Sequence, residues 1–136
     1  MIKGFAHVCI TTTDLEATER FYCSGLGFTR AFRFIRGGES IGFYLKAAQG
    51  AYIEVFRRNE TDPPVATAIP HFCLEVENIA ELHRHLQAKG YEVTEPRLGA
   101  DQSWQMWITD PGGVRIEFHQ YTGQSSQITG NDCILD

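Results

Sequence analysis

The stretch FAHVCITTTDL at residues 5–15 decides the fold, because it recurs as IPHFCLEVENI at residues 69–79. Both copies read His-x-Cys, then an alternating run, then a residue that suits a helix N-cap before an apolar one. A second pair of segments, AYIEVF at 51–56 and VRIEFH at 114–119, shares Ile-Glu. The matching histidines are 64 positions apart (7 to 71) and the matching glutamates 63 (54 to 117). The two offsets differ by only one residue, which indicates a duplicated module.

Each copy predicts the order strand, helix, strand, strand, strand. Asp14 and Asn78 suit helix N-caps, and apolar residues follow at helical spacing over 16–22 and 79–86. Glycines end both helices. Extended segments bounded by glycine and proline turns are predicted at 28–36, 40–48, 51–57, 91–96, 103–109 and 114–120. The predicted fold class is therefore α+β, built from two tandem βαβββ modules.

The length and composition suit a single compact unit made of these modules. The chain has 136 residues, of which 43% are hydrophobic and 21% charged. The linker is rich in charge and holds Pro63 and Pro64, which suits a surface crossing. The polar tail is expected to be loosely held or to dock on a partner subunit. The predicted segments are a first module at 1–57, the linker at 58–69, a second module at 70–121 and a C-terminal tail at 122–136.

Charge and hydropathy exclude several classes of function. Twelve Lys and Arg stand against 17 Asp and Glu, for a formal charge of −5, and no basic cluster is present, so no nucleic-acid partner is expected. The sequence shows neither a transmembrane span nor a signal peptide, so no membrane association is expected and the cytoplasm is the predicted location. The four cysteines form no C-x-x-C pair, which argues against a structural zinc site or a thioredoxin-like motif.

Four residues of the types that bind metals fall on one face of the predicted strands. Side chains alternate along a strand, so each strand has an apolar face that can take a helix and a mixed face. Glu117 lies between Ile116 and Phe118, where an unpaired carboxylate would be costly. The mixed faces of the matching strands carry His7, Glu54, His71 and Glu117.

Two imidazoles and two carboxylates in a partly buried cleft are consistent with a bound divalent metal. Without a cation the carboxylates would repel each other, and one of them would have to take up a proton. A donor set of nitrogen and oxygen suits Zn, Ni, Co, Mn or Fe(II), with two positions open for water or substrate. The sequence thus predicts one divalent metal and no organic cofactor.

Simpler interpretations apply to other residues of these types. Cys9 and Cys73 share the mixed face, and they are either ligands, a disulfide or small residues on the cleft floor, of which the last is favoured. His119 is either an outer-shell or proton-carrying residue or lies at a surface edge. His83 and His85 are expected on the solvated face of the second helix.

The chain resembles the vicinal oxygen chelate superfamily, which includes glyoxalase I, methylmalonyl-CoA epimerase, extradiol dioxygenases and fosfomycin- and bleomycin-resistance proteins. The resemblance covers about residues 4–121. It depends on HVCITTTDLEATERFYCSGLGF, on PHFCLEVENIAELHRHLQAKGYEV and, most specifically, on WITDPGGVRIEF, which is similar to the Asp-Pro-x-Gly-x-x-Ile-Glu ending of the family.

The resemblance implies an open, cupped, mixed β-sheet around a metal held by His7, Glu54, His71 and Glu117. A carboxylate at position 54 is typical of glyoxalase I-like lyases and isomerases, in which the metal polarises vicinal oxygens of a small carbonyl substrate and stabilises an enediolate. Glu117 is the favoured base and Glu54 its partner, with the order reversible. The alternatives are an Fe(II) ring-cleaving dioxygenase using His7, His71 and Glu117, or a non-enzymatic binding protein of the resistance type.

The substrate is a small molecule whose identity the sequence leaves open. Many glutathione-dependent members have an arginine four residues after the first ligand, where this chain has Thr11, which weakens the case for glutathione. Aromatic walls with a few polar anchors are typical of such pockets. A homodimer is also expected, because many relatives build the site across subunits. The candidate substrate contacts are Tyr52, Phe56, Trp104, Gln105, Trp107 and Arg115.

Overall fold

The computed structural model describes residues 1, 3–62 and 68–135. The chain divides into two compact units: unit 1 comprises residues 1–66 and 110–114, and unit 2 comprises residues 67–109 and 115–136. Residues 63–67 of the predicted linker lie outside the described residues. The module boundaries drawn from the sequence stay a prediction. No helix in the described part of the chain is long and apolar enough to cross a membrane.

Unit 1 folds in the predicted βαβββ order. Its strand order is β1-β4-β3-β2, with β1 parallel to β4 and the other pairs antiparallel. Asp14 caps the helix as predicted, because its Oδ1 accepts from the Ala17 amide at 2.9 Å. The elements are β1 His7–Thr12, α1 Leu15–Arg20, β2 Thr29–Arg36, β3 Glu39–Ala48 and β4 Ala51–Arg57.

The first helix differs from the single helix predicted over 16–22. After α1 the chain continues as a π-helical turn over Phe21–Gly25, and Gly27 then adopts a φ of 76°. A π turn holds more residues than an α turn, so it changes which side chains point inward. Phe21 and Tyr22 are consecutive in sequence, yet both are buried.

Unit 2 repeats the topology as β5-β8-β7-β6, with β5 parallel to β8. Asn78 caps the second helix as predicted, accepting from the Glu81 amide at 3.0 Å. The two mixed four-stranded sheets confirm the α+β fold class. The elements are β5 Phe72–Glu75, α2 Ile79–Ala88, β6 Arg97–Leu98, β7 Trp104–Thr109, β8 Arg115–Gln120 and α3 Ser126–Thr129.

In unit 2 one strand prediction is wrong, and so is the loosely held alternative for the first part of the tail. The strand predicted at 91–96 is reduced to an isolated bridge at Val93, and the paired residues come later, in β6. Pro96 lacks the N–H that a continuing ladder needs. The tail is also not loose over its first part, because α3 begins where the Ser126 amide donates to the Asp101 carbonyl at 2.8 Å, and Gln127 reaches the Asp101 carboxylate at 2.7 Å.

The apolar faces of the strands form a core in each unit, as the alternation predicts. Each large side chain in such a core contributes about 1.5–3 kcal/mol when fully buried. The buried side chains of unit 1 include Ile10, Phe21, Tyr22, Phe43, Leu45, Ile53 and Val55, and those of unit 2 include Ile79, Leu86, Met106, Ile108, Ile116 and Phe118.

Candidate metal centre

In unit 1, His7 and Glu54 face each other across the parallel pair β1 and β4. The His7 Nε2 atom lies 3.8 Å from Glu54 Oε2. The other ring nitrogen, Nδ1, is hydrogen-bonded to the Tyr44 hydroxyl at 3.2 Å, and Tyr44 sits opposite Glu54 on β3. A hydrogen bond on one imidazole nitrogen orients the ring and leaves the other nitrogen for a metal. Unit 1 therefore presents one nitrogen and one carboxylate in a ligand-like arrangement.

In unit 2, His71 and Glu117 make the matching pair. The His71 Nε2 atom lies 3.2 Å from Glu117 Oε2. Trp107, opposite Glu117 on β7, meets the His71 ring edge-on at 4.8 Å, and the Arg115 guanidinium lies 4.4 Å above the Trp107 ring. Glu117 is only 8% exposed, so its charge needs a partner inside the protein.

The donor atoms fit a divalent metal. Ligands at about 2.0–2.2 Å from a cation, in adjacent octahedral positions, lie about 3 Å apart. The nitrogen–oxygen separations of 3.8 and 3.2 Å within the two pairs need small side-chain adjustments to reach that value. Whether His7, Glu54, His71 and Glu117 share one cation stays a prediction.

A cysteine lies beside each glutamate. In register, Cys9 pairs with Glu54 and Cys73 with Glu117, and both thiols are free, so the disulfide interpretation is wrong. Burial, a hydrogen bond to Glu54 and the Glu54 charge raise the pKa of Cys9 to about 11. Burial and the charges of Glu117 and Asp101 raise the pKa of Cys73 to about 12. Both thiols are therefore protonated at neutral pH when no cation is near.

His119 is buried beside Glu117, so the surface-edge interpretation is wrong. It is 8% exposed, on a strand that lies between β5 and β7. Its Nε2 lies 3.0 Å from Glu117 Oε1, and its Nδ1 lies 4.0 Å from Asp101 Oδ2. The two oxygens of Glu117 thus lie close to two different imidazoles.

Sequence reasoning missed Asp101. Its carboxylate is buried and accepts from the Ser103 amide at 3.1 Å, Gln105 Nε2 at 3.0 Å and Gln127 Nε2 at 2.7 Å. Burial alone would raise the pKa of Asp101, but the hydrogen bonds from Gln127 and Ser103 and the His119 charge lower it below the ordinary value. The signal in the sequence was the Asp-x-Ser step, which favours an Asx turn, but its partner Gln127 is 26 residues away.

Two of the predicted substrate contacts belong to an aromatic face on unit 1. Tyr52 stacks on Tyr44 at 5.3 Å, and Phe56 stacks on Phe34 at 4.6 Å. Phe32 extends the series by stacking on Tyr44 at 4.8 Å, and it is half exposed. This aromatic face begins beside His7, because Tyr44 contacts both the stack and the imidazole.

The other four predicted contacts are on unit 2 and separate into different roles. Trp107 and Arg115 line a cavity of about 450 Å³ that also includes Tyr91. The Gln105 amide is engaged by Asp101. Trp104 pairs with Gln120 on the opposite face of the sheet from Glu117, so the structure does not bring it to the Trp107 side.

Two further side chains have structural explanations. His83 is buried, so the solvated position expected for it is wrong. On α2 it lies one turn from Ile79 and one turn from Leu86, on the buried face of the helix. Its Nε2 atom lies 3.5 Å from Glu95 Oε1. Asp110, which follows β7, accepts from the Val114 amide at 2.8 Å and from the Tyr22 hydroxyl at 2.8 Å. Burial raises the pKa of Asp110.

The fold places the chain in a class of proteins built from two βαβββ modules, and the sequence comparison gives the family. Residues 4–118 match the Glyoxalase/Bleomycin resistance protein/Dioxygenase superfamily, so the chain belongs to it. Uncharacterized protein YaeR of Escherichia coli K12 is 26% identical over 125 residues, covering 88% of this chain and 97% of YaeR. The crystal structure of the glyoxalase family protein from Enterococcus faecalis is 27% identical with a TM-score of 0.73, covering 86% of this chain and 97% of that one.

Two more distant structures share the fold and differ from each other in function. Lactoylglutathione lyase from Agrobacterium tumefaciens is 20% identical with a TM-score of 0.66, covering 88% of this chain and 94% of its own. TnmS3, an antibiotic binding protein from Streptomyces sp. CB03234, is 20% identical with a TM-score of 0.73, covering 89% and 98%. The same fold thus serves an enzyme and a binding protein.

Proposed function

We propose that this protein is a metal-dependent, glyoxalase I-like lyase or isomerase that acts on a small α-oxygenated carbonyl compound. One observation carries the proposal: each unit places a histidine ring nitrogen against a glutamate oxygen at the same repeated positions, 3.8 Å apart in unit 1 and 3.2 Å apart in unit 2. A carboxylate in both halves is the feature that the resemblance links to glyoxalase I-like members rather than to dioxygenases.

The metal ligands in this proposal are His7, Glu54, His71 and Glu117. When bound, a divalent cation such as Ni, Zn, Co, Mn or Fe supplies Lewis-acid polarisation of two neighbouring substrate oxygens. Tyr44 holds His7 through Nδ1, and Trp107 packs against His71, so both imidazoles have neighbours that fix their orientation.

Glu117 is the proposed base that moves a proton between adjacent carbons of the substrate. Its side chain is 11% exposed against 22% for Glu54, so less water can compete for the proton that Glu117 would move. Glu54 takes the role of partner carboxylate. A positioned general base contributes about 10²- to 10⁴-fold to the rate.

The aromatic face of unit 1 and the cavity beside Trp107 are the proposed contacts for the rest of the substrate. Tyr52 and Phe56 offer flat apolar surface, and the Arg115 guanidinium offers a donor for a carbonyl or carboxylate oxygen. Thr11 stands where a glutathione-dependent enzyme would have an arginine, so compounds that lack glutathione belong in the test.

A second candidate function, small-molecule binding without catalysis, is favoured by one observation. The stacked rings of Phe32, Tyr44 and Tyr52 form a partly exposed aromatic face suited to a flat ligand, and TnmS3 is described as an antibiotic binding protein. A sequestering protein has no need for all four metal ligands, so metal content separates the two functions.

Elemental analysis of protein purified without added metal tests the proposal. The wild type is expected to contain Ni, Zn, Co or Mn, and this metal should be retained in Glu77→Gln and lost in Glu117→Gln. The wild type is also expected to exchange the α-protons of its substrate for deuterium in D2O. NMR measures this exchange on hydroxyketones and hemithioacetals. Glu77 is an exposed carboxylate in the same unit and serves as the matched control. Iron with oxygen uptake would support the dioxygenase alternative, and no metal under any loading would support the binding protein.

A homodimer in the cytoplasm completes the proposal. All four cysteines are free, which suits a reducing compartment. Light scattering coupled to gel filtration is expected to give twice the 15.3 kDa mass of the chain.

A further inference from the structure

Unit 2 contains a second group of metal-ligating residues, which has only Glu117 in common with the proposed catalytic set. Among the described residues, Cys73, Glu117 and His119 each offer one ligand atom, and these atoms all lie within 4.8 Å of one another. The backbone explains the grouping: Cys73 is the register partner of Glu117, and His119 follows Glu117 by two residues on the same face of β8.

His119 gives independent evidence that this group is a ligand site. Its Nε2 is buried and makes no hydrogen bond, although Glu117 Oε1 lies 3.0 Å away. If a charge-assisted hydrogen bond joined the two groups at that distance, an N–H of the imidazole would point at the carboxylate oxygen. A buried nitrogen and an oxygen that are close but do not point at each other are arranged like two ligands of one cation.

The other side of the His119 ring is also arranged as in metal sites. Histidine ligands usually direct their second nitrogen to a carboxylate, which fixes the tautomer. The Asp101 carboxylate lies 4.0 Å from His119 Nδ1 and is held by donors from Ser103, Gln105 and Gln127. A proton on Nδ1 facing Asp101 leaves the Nε2 lone pair free for a metal.

We propose that Cys73, Glu117 and His119 form a second divalent-cation site, of the thiolate-accepting kind that suits Zn(II) or Co(II). The thiolate and the carboxylate together neutralise the cation, the imidazole is neutral, and the thiol proton leaves on binding. Three protein ligands leave a fourth position open. The site uses Glu117 Oε1, whereas Oε2 faces His71, so one carboxylate serves both groups.

The duplication supplies a matched control within the same chain. Cys9 stands beside Glu54 as Cys73 stands beside Glu117, but the residue that corresponds to His119 in unit 1 is Phe56. Unit 1 therefore has the thiol and the carboxylate but no imidazole at the position that corresponds to His119. A thiolate-bound cation is expected at Cys73 and not at Cys9.

The test is titration of the metal-free full-length protein with Co(II) alone, followed by near-ultraviolet absorption, where sulfur-to-cobalt charge transfer is observed. The wild type is expected to develop this band fully by two equivalents, because the proposed catalytic set takes up the other equivalent, and Cys9→Ser is expected to keep it. Cys73→Ser is expected to abolish it, and His119→Phe, which copies unit 1, to weaken Co(II) binding at the site at least tenfold. Circular dichroism checks that each variant is folded, and Cys73→Ser changes only one atom.

The outcome separates this site from the proposed catalytic metal. His7→Gln removes a ligand of the catalytic set only, so the charge-transfer band should persist in that variant. Co(II) binding without the band in the wild type, or a band lost in Cys9→Ser and kept in Cys73→Ser, overturns the proposal and leaves the catalytic set untouched. Loss of the band in His7→Gln also overturns it, because the thiol would then serve the catalytic metal.

Discussion

The two units carry the same His–Cys–Glu arrangement but differ two residues after the glutamate, where unit 1 has Phe56 and unit 2 has His119. In unit 1 the ring of Phe56 stacks on Phe34 and extends an aromatic face. In unit 2 the imidazole of His119 lies between Glu117 and Asp101. A single difference between the two copies of the module thus gives unit 1 an apolar aromatic face and unit 2 a buried polar cluster. The two glutamates are therefore not equivalent, although the sequence repeat treats them alike.

The largest expected effect comes from removing the two carboxylates one at a time. Glu117→Gln should lower kcat/KM for α-proton exchange by about 10²- to 10⁴-fold, since it removes the proposed base. Glu54→Gln should cost less, because it removes a ligand and leaves the base. Steady-state kinetics on protein reloaded with a single metal measures both, and equal losses would break the distinction between the units.

The residues that pair with Phe56 and His119 on the neighbouring strand also differ, and this difference predicts an effect on stability. Gly42 pairs with Phe56, whereas Gln105 pairs with His119. A Cβ at Gly42 would overlap the Val55 carbonyl oxygen and lie 3.0 Å from the Phe56 ring. Gly42→Ala should therefore lower the free energy of unfolding by about 1–3 kcal/mol, as overpacking does.

Urea unfolding measures this loss. At the matching position of unit 2 the sheet already accommodates the side chain of Gln105. A Gly42→Ala variant as stable as the wild type would show that the two sheets tolerate side chains equally at this position.

A smaller effect is expected at the hydrogen bond that orients His7. Tyr44→Phe removes the hydroxyl that bonds His7 Nδ1 and keeps the stacked ring. Loss of such an outer contact lowers metal affinity about 10- to 100-fold. Competition with a chelator of known affinity measures the change, with Tyr52→Phe as the control on the same aromatic face.

The smallest expected effect is a difference between Cys9 and Cys73 in their rate of alkylation. The pKa is raised to about 11 for Cys9 and about 12 for Cys73, and only the thiolate reacts with iodoacetamide. Between pH 8 and 10 both rates should rise about tenfold per pH unit without reaching a plateau, because both pKa values lie above this range, and Cys73 should react more slowly than Cys9. Peptide mass spectrometry after timed quenching reads each site, and a plateau below pH 10 at Cys73 would contradict the assigned environment.

The repeat made much of the fold predictable from the sequence. Matching segments, N-caps at Asp14 and Asn78 and period-two alternation are local signals, and the structure confirms the elements that depend on them. The π-helical turn at Phe21–Gly25 was not predicted, because a π turn and an α turn have nearly the same residue pattern. The shift from the predicted strand at 91–96 to β6 shows that alternation alone does not fix which residues pair.

The candidate site was only partly predictable, for a physical reason. Strand alternation placed His7, Glu54, His71 and Glu117 on the mixed faces without any long-range information. The buried His119 ring faces Asp101, whose carboxylate is held by Gln127 of α3. That contact joins residues 26 positions apart through side chains with no periodicity, so it could not be read from the pattern.

The central claim is that histidines from both units hold the same cation. Calorimetric titration with Ni(II) in the Cys73→Ser background, which removes the second proposed site, tests it most directly. One binding site is predicted for the parent, and either His7→Gln or His71→Gln should weaken it by at least a hundredfold. If either variant bound Ni(II) as tightly as the parent, the two units would not share a metal, and the proposed catalytic set would be wrong.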